Sequence, residues 1–483
     1  MALPSPGVRR RRRAAGRARL AALVAALVLV AVVLVVVLSG GGPPPLPLPG
    51  VGRPARSGDP FAYIPARAAD FANRAIAGEA HVLFTKSPGG VLATASRVAA
   101  LDKLIAAAAA GSGISPDALE GIVFLESAGD PNAIAGTDPA NAAGLTQIVA
   151  STGVALLGMH INLPASRSLT TRIDRAAALG QVGLMTRLEA ARARIDPRFD
   201  PRQALAATVR YLKLAEHDFG RLDLAIESYH MGIGNLTSVL DAYDGGQPVP
   251  YVKLFFDSAP DHHAHAYALL AGFGDDSWTY LWRVLAAENI MRLYRTDPAV
   301  LRRLATLQTL TDSAAYVLHP PDQLHPFADP DALDAAYAQR SILPLPSNAA
   351  ALGLAYDPQM GALAHRVGFT SALYRGLRTP ALDLLIELAA RVRALGGGKA
   401  PLIVTSTVLD QSYQRQLGID DPAAAAGWTF TIARQYASPA QALAFQAMLD
   451  RLQALDLIAW QRYPSEIEIT VASDAARAIV NGP

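Results

Sequence analysis

Cysteine is missing from all 483 residues. That absence excludes a disulfide framework, a thiolate metal site, a cysteine nucleophile and a lipidated N-terminal cysteine, and it leaves the compartment open. No histidine follows His365, so the C-terminal stretch cannot build an imidazole metal site by itself. The body also lacks an excess of basic charge. The net charge of +2 rests on seven arginines, with no acid, within residues 1–19, and the remainder is mildly acidic. Nucleic acid is therefore not an expected partner. There is no internal repeat, and nothing between residues 61 and 300 alternates like a strand. Apolar residues, by contrast, make up 51% of the chain, enough for substantial cores, and the length suggests two or three domains.

The largest apolar run comes first. Leu20 to Leu38 is nineteen apolar residues without a charge. At 1.5 Å per residue such a helix reaches roughly 28 Å, close to the ~30 Å of a bilayer's hydrocarbon core. Arginines precede it and an uncharged Ser-Gly-Pro stretch follows, so the positive-inside bias predicts a cytoplasmic tail at 1–19, an anchor at 20–38 and an extracytoplasmic body. A cleaved signal peptide is the alternative, but its apolar region is ordinarily about 7–15 residues and ends in small residues. Both readings export the body, and the first predicts a single-pass cell-membrane protein. Pro43, Pro44, Pro45, Pro47 and Pro49 make residues 39–60 a stiff, extended spacer.

From about Phe61 the pattern is helical. Ser115-Pro116-Asp117 reads as an N-cap followed by proline at the first helical position, opening a helix to about Ser127. Further helices are predicted near 140–157, 172–195, 201–219, 222–231, 233–242 and 264–293. The fold class is thus mainly α, with an all-α domain over 61–318. After a proline-punctuated linker at 319–346 the pattern changes. Residues 402–408, 428–432 and 466–471 are β-branched or alternating runs, separated by helices near 380–395, 410–417 and 438–455. This predicts a smaller α+β domain over 347–483.

Chemistry gathers in the helical part. Glu-Ser-Ala-Gly begins at Glu126, Gly-Leu-Thr-Gln ends at Gln147, and Ser-Tyr-His-Met-Gly spans Ser228 to Gly232, preceded by the Arg210-Tyr211-Leu212-Lys213 helix. Cleaving a glycosidic bond needs a carboxylic acid kept protonated by an apolar pocket. Glu126 follows the apolar run Gly121–Leu125 and precedes small residues where a sugar can approach, and such neighbours raise a carboxyl pKa by desolvation. Alone, a glutamate at a helix end is ordinarily a solvated charge. The ordered set of three segments gives it weight.

This set resembles the lytic transglycosylases of the soluble-lytic-transglycosylase (SLT) type, with their goose-type-lysozyme-like fold, over a motif core of about 110–245. The resemblance implies Glu126 as catalytic acid/base, Ser127 as a substrate contact beside it, Gln147 lining the sugar groove and Tyr229 orienting the catalytic carboxyl. Thr146 stands where methionine is usual, making a groove wall polar, and His230 stands where asparagine is usual, to bond in its place or to pack. The implied substrate is the glycan strand of peptidoglycan, and no cofactor is needed. Glu126 would protonate the oxygen linking N-acetylmuramic acid to N-acetylglucosamine while the muramyl acetamido group stabilises the cation. Glu126 would then take the proton of the sugar's own 6-hydroxyl, closing a 1,6-anhydro ring. Two alternatives stay open: a lysozyme-like hydrolase, with Asp130 or Asp138 positioning water, and a catalytically silent glycan-binding scaffold.

Other polar clusters read as structure. Asp130 before Pro131 suits a turn. Asp257, Asp261, His262, His263 and His265 have no spacing of a compact metal site and read as a solvated loop, so no metal ligand is assigned. Glu227 points away from Tyr229 on its helix and is only a secondary carboxylate. The segments at 402–417, 427–432 and 466–471 resemble D-Ala-D-Ala carboxypeptidase-type zinc peptidases. Ala424, Thr431 and Glu468 stand where that family places His, Asp and His. The resemblance implies a domain without metal, left to bind peptide stems or cell-wall protein partners.

Overall fold

The computed structural model describes residues 59–274, 276–311 and 313–480. The basic tail, the apolar run at 20–38 and nearly all of the spacer lie outside the described residues. Among the described residues no helix is long and apolar enough to cross a membrane.

Ser115 opens the helix that carries Glu126. Its hydroxyl accepts the Asp117 amide, Pro116 takes the first helical position, and left-handed Ala128 (φ 53°) ends the helix after Ser127. This helix, α2 (Pro116–Ser127), is preceded by α1 (Ala68–Lys86) and followed by α3 (Pro201–Phe219), α4 (Leu222–Met231) and α5 (Tyr280–Thr296). α5 is the hub, packing on α1, α2 and α4. It approaches α2 where Gly121 leaves room: a Cβ there would stand 2.7 Å from the Val284 carbonyl oxygen. The helices bearing Glu126 and Tyr280 are thereby held backbone to backbone.

The helix expected at 140–157 is mostly a hairpin. β1 (Ala142–Ala143) pairs antiparallel with β2 (Ile148–Val149), and only Ala150–Ala155 is helical. Left-handed Gly144 (φ 80°) and Gln147 (φ 49°) turn the chain between the strands, and a continuous helix admits neither. The single helix expected at 172–195 is two, Leu163–Ala178 and Val182–Ile195, broken at left-handed Gly180.

The residues expected as a linker at 319–346 contain the helix Pro330–Ala338, and Leu333, Ala336 and Ile342 share a core with Tyr374, Val408 and Tyr413. The C-terminal part is a five-stranded sheet: β3 (Leu354–Tyr356), β4 (Leu402–Ser406), β5 (Thr429–Ala433), β6 (Ile458–Arg462) and β7 (Glu466–Val471), in the order β3-β4-β5-β7-β6. β3 runs parallel to β4, and the other pairs are antiparallel. Helices α6 (Thr379–Gly396) and α7 (Pro439–Ala454) pack together against it. One apolar core runs from α1 and α5 into α6, α7 and the sheet, so the two parts are not separately filled.

Candidate active site

Glu126 lies in the last turn of α2, partly buried, and its carboxyl Oε1 accepts a hydrogen bond from the Tyr280 hydroxyl at 2.7 Å. Burial pushes the carboxyl up to about 7, and the Tyr280 hydrogen bond opposes that rise. A carboxylic acid is therefore held half-protonated near neutrality, as a general acid requires.

Tyr280 was not singled out by sequence. It follows the segment Asp275 to Thr279, far along the chain from Glu126, and its only local signal is an aromatic residue at a helix start. Its ring stacks with those of Tyr229 (centroids 6.2 Å) and His230 (5.4 Å), both on α4. The His230 Nδ1 lies 2.8 Å from the Ser277 hydroxyl, which ties α4 to the turn leading into Tyr280.

Among the described contacts Tyr229, expected to orient the Glu126 carboxyl, makes no direct hydrogen bond to it. Its hydroxyl donates to the Thr146 carbonyl at 2.8 Å and lies 3.2 Å from the Thr208 hydroxyl. Its place near Glu126 is that of a partly buried neighbour: desolvation first, then the Glu126 charge, pushes the phenol upward. The link from Tyr229 to Glu126 runs through the Tyr280 ring. Thr146, expected as a polar groove wall, is fully buried, and its hydroxyl makes no hydrogen bond of good geometry.

Ser127 donates to the Leu145 carbonyl at 2.7 Å, fastening α2 to the hairpin turn. Gln147 spends both amide protons on the carbonyls of Ala133 (3.1 Å) and Gly144 (2.9 Å), leaving its amide oxygen to accept from a ligand. The hairpin itself is pinned from below by Arg198, a residue with no local signal to single it out. Fully buried, Arg198 donates to the carbonyls of Pro139, Asn141 and Ile148 and to both oxygens of buried Asp196. Gly144 lies against it, where a Cβ would fall 1.8 Å from the Arg198 carbonyl oxygen. Only glycine fits.

Glu227 also has a definite place. It is fully buried, accepts the Leu281 amide at 2.8 Å, and so caps the first turn of α5 just after Tyr280. Burial pushes its carboxyl up to about 8. The two aspartates considered for positioning water are engaged elsewhere. Asp130 accepts the Asn132 amide in a turn, and Asp138 forms a two-bonded pair with Arg167 at 2.8 and 2.9 Å.

Asp257, His262 and His263, expected as a solvated loop, come together with ligand atoms within 4.8 Å of one another. Their polar atoms also serve the loop itself: Tyr243 donates to Asp257 Oδ2 at 2.5 Å, the His262 Nδ1 lies 2.9 Å from the Asp257 carbonyl, and the His263 ring stacks on Tyr243.

The family model described as the transglycosylase SLT domain matches residues 103–247. Glu126, Ser127, Gln147, Tyr229 and His230 fall within the match, and Tyr280 and the sheet-bearing part fall beyond it. No curated protein matches the chain.

Proposed function

We propose that the chain is a membrane-anchored peptidoglycan lytic transglycosylase, cleaving the β-1,4 bond between N-acetylmuramic acid and N-acetylglucosamine with a 1,6-anhydro product. The match to the transglycosylase SLT domain supports action on glycan strands. The observation that carries the reading is the state of Glu126, a carboxyl lifted to about 7 with a tyrosine hydroxyl as its partner. Protonated, it gives its proton to the glycosidic oxygen. Ionised, it takes the proton of the 6-hydroxyl as that oxygen bonds to the anomeric carbon, and the starting state returns. One carboxyl suffices for both steps. The inverting two-carboxylate scheme needs a second carboxylate placed to activate water; Asp138 is paired with Arg167 through both oxygens, and Asp130 serves its own turn through one.

Ser127, Gln147, Tyr229 and His230 take supporting parts in this reading. Ser127 and Gln147 shape the hairpin side of the cleft, with the Gln147 amide oxygen left for a sugar donor, and Tyr229 and His230 hold the Tyr280 ring. In this reading the apolar run at 20–38 is the anchor, with the body on the outer face of the cell membrane.

Digestion of purified peptidoglycan followed by mass spectrometry tests the reaction. Muropeptides one water lighter than hydrolytic products are expected. Reducing-end products would establish a hydrolase, and no products at all a silent scaffold.

A further inference from the structure

Two helices stand out from the helical part as a finger. Leu163–Ala178 and Val182–Ile195 pack chiefly on each other, and the second also packs on the short turn Pro197–Phe199. Ile173, Ala176 and Leu188, with Leu169 and Met185 against them, form a small core separate from the large one. The root of the finger is fastened where the cleft is built. Arg167 pairs with Asp138, Ser166 donates to Asp196 at 2.8 Å, and buried Arg192 donates to Asn132 at 3.0 Å. Asp196 also holds Arg198, the residue that pins the β1–β2 hairpin.

The tip is apolar and bare. Residues 176–186 read Ala-Ala-Ala-Leu-Gly-Gln-Val-Gly-Leu-Met-Thr, without a charge, and all of 177–184 are exposed. Leu179 and Val182 keep 61% and 65% of their surface in solvent, more than any other exposed large apolar residue among those described, and Leu184 keeps 37%. The turn does not require them, because left-handed Gly180 supplies the reversal and polar side chains would serve beside it equally well. Large apolar groups gathered on a projecting tip mark a contact site, whereas single ones scattered over a surface do not.

Charge and backbone select the occupant. Exposed Arg172, Arg175, Arg187 and Arg194 stand behind the tip against Asp174 and Glu189, on a body that is otherwise mildly acidic. Apolar side chains at the end of a helical element with arginines behind them suit an anionic bilayer: the former enter the boundary of the acyl chains, and the latter meet the phosphates. Unsatisfied amides are costly in lipid. Here the amides of Leu179, Gly180, Gln181, Val182, Leu184 and Met185 are all bonded within the turn. The reach is also sufficient. Twenty residues, 39–58, separate the apolar run from Asp59. A proline-rich stretch of that length extends to roughly 60 Å, about the width of a body whose radius of gyration is roughly 22 Å. Such a tether lets any face of the body turn to the bilayer. The reach rests on the anchor of the proposed function; the tip and its arginines do not.

We propose that the finger docks on an anionic lipid surface, with Leu179, Val182 and Leu184 entering the headgroup boundary and the arginines binding lipid phosphates. Because its root is shared with the cleft, docking sets the height of the cleft above the bilayer. That height is at most roughly 24 Å, the length of the 16-residue helix Leu163–Ala178.

The chain has no cysteine, so Val182→Cys supplies a single thiol for the polarity-sensitive fluorophore NBD, and Lys399→Cys, exposed on the sheet-bearing part, supplies a control. The labelled full chain is reconstituted into phosphatidylcholine vesicles with or without phosphatidylglycerol. With the anionic lipid, emission from position 182 should at least double relative to detergent solution, move to shorter wavelength and be quenched by lipids brominated near the headgroup. Position 399 should show none of these. Adding Leu179→Asp/Leu184→Asp should abolish the rise without lowering the melting temperature. Arg172→Gln/Arg175→Gln/Arg187→Gln should remove its dependence on phosphatidylglycerol. No rise at 182 in anionic vesicles, or an equal rise at 399, overturns the proposal. So does a rise in detergent solution that grows with protein concentration, which marks a second copy, or one that follows added glycan strands, which marks the substrate. Attachment that resists alkaline carbonate without a response at 182 sinks this proposal alone. A response at 182 from a chain that carbonate strips from the vesicles sinks the proposed anchor alone.

Discussion

At the scale of single residues, Glu126 sets function against stability. Its carboxyl titrates near 4.5 in an unfolded chain and near 7 in the fold. Below the lower value both states are protonated and nothing is lost. Between the two, the unfolded chain ionises while the native carboxyl holds its proton, so stability falls as pH rises, by up to about 3 kcal/mol, and levels off above pH 7. Glu126→Gln should therefore abolish turnover and raise the melting temperature at pH 7, with little change at pH 4. A variant that stays active would remove Glu126 from the chemistry. In the parent enzyme kcat/KM should decline above about pH 7. Because the Tyr280 hydrogen bond lowers the Glu126 pKa, Tyr280→Phe should move that decline to higher pH while reducing kcat; an unshifted profile would deny Tyr280 its hold on the acid. Thr146 offers a simpler test. Its buried hydroxyl makes no hydrogen bond of good geometry and at most approaches the Tyr229 hydroxyl, so the near-isosteric Thr146→Val removes a desolvation cost that little offsets and should stabilise by about 1 kcal/mol in urea unfolding.

At the scale of elements, the site depends on how closely α2 and α5 approach. Gly121 and Val284 touch backbone to backbone, about a turn from Glu126 and Tyr280 along their respective helices. Gly121→Val must push the helices apart and lengthen the Glu126–Tyr280 hydrogen bond. A loss of roughly 1–3 kcal/mol of stability is expected from overpacking, with at least a tenfold fall in kcat and an altered pH profile. Unchanged turnover would show that the hydrogen bond tolerates the displacement. Local signals made some elements legible in sequence and left others hidden. The Ser115-Pro116 cap marked the start of α2, and alternation marked β7, because both are properties of adjacent residues. Glu126 was legible because an apolar run ends at an acid beside small residues. The hairpin at 142–149 was not, because its cause is the remote Arg198 gathering three carbonyls beneath it. Tyr280 was hidden for the same reason, since its partner is 154 positions away. The strand Ile458–Arg462 mixes apolar, aromatic and charged residues and shows itself only through pairing with β7.

At the scale of the molecule, the helical and sheet-bearing parts fold as one body. Arg451 of α7 donates to the carbonyls of Phe61 and Phe256. Arg391 of α6 pairs with Asp59 at 2.9 Å and with Asp261 at 3.3 Å. Arg74 of α1 meets Asp474 at 2.6 Å, and His319 reaches the Val471 carbonyl at 2.7 Å while stacking on Trp428. The Arg74–Asp474 pair, with Asp474 largely exposed, contributes little, about 0–1 kcal/mol, whereas Arg391 and Asp59 are both buried, and breaking that pair would leave a charge unpaired. The decisive feature is the shared apolar core, in which Phe71, Ala75 and Phe256 belong to the same cluster as Met448 and Leu452. Separating the parts would put that surface into water at about 25 cal/mol per Å², which couples the melting of one part to that of the other. Calorimetry of the full chain should show one cooperative transition across both parts. Arg451→Met strands the two carbonyls that the guanidinium serves, each worth about 1–3 kcal/mol if left unpaired, and should lower that transition as a whole. Two separated transitions, or a variant that moves only one half of the melt, would mean that the helical and sheet-bearing parts are independent domains merely touching.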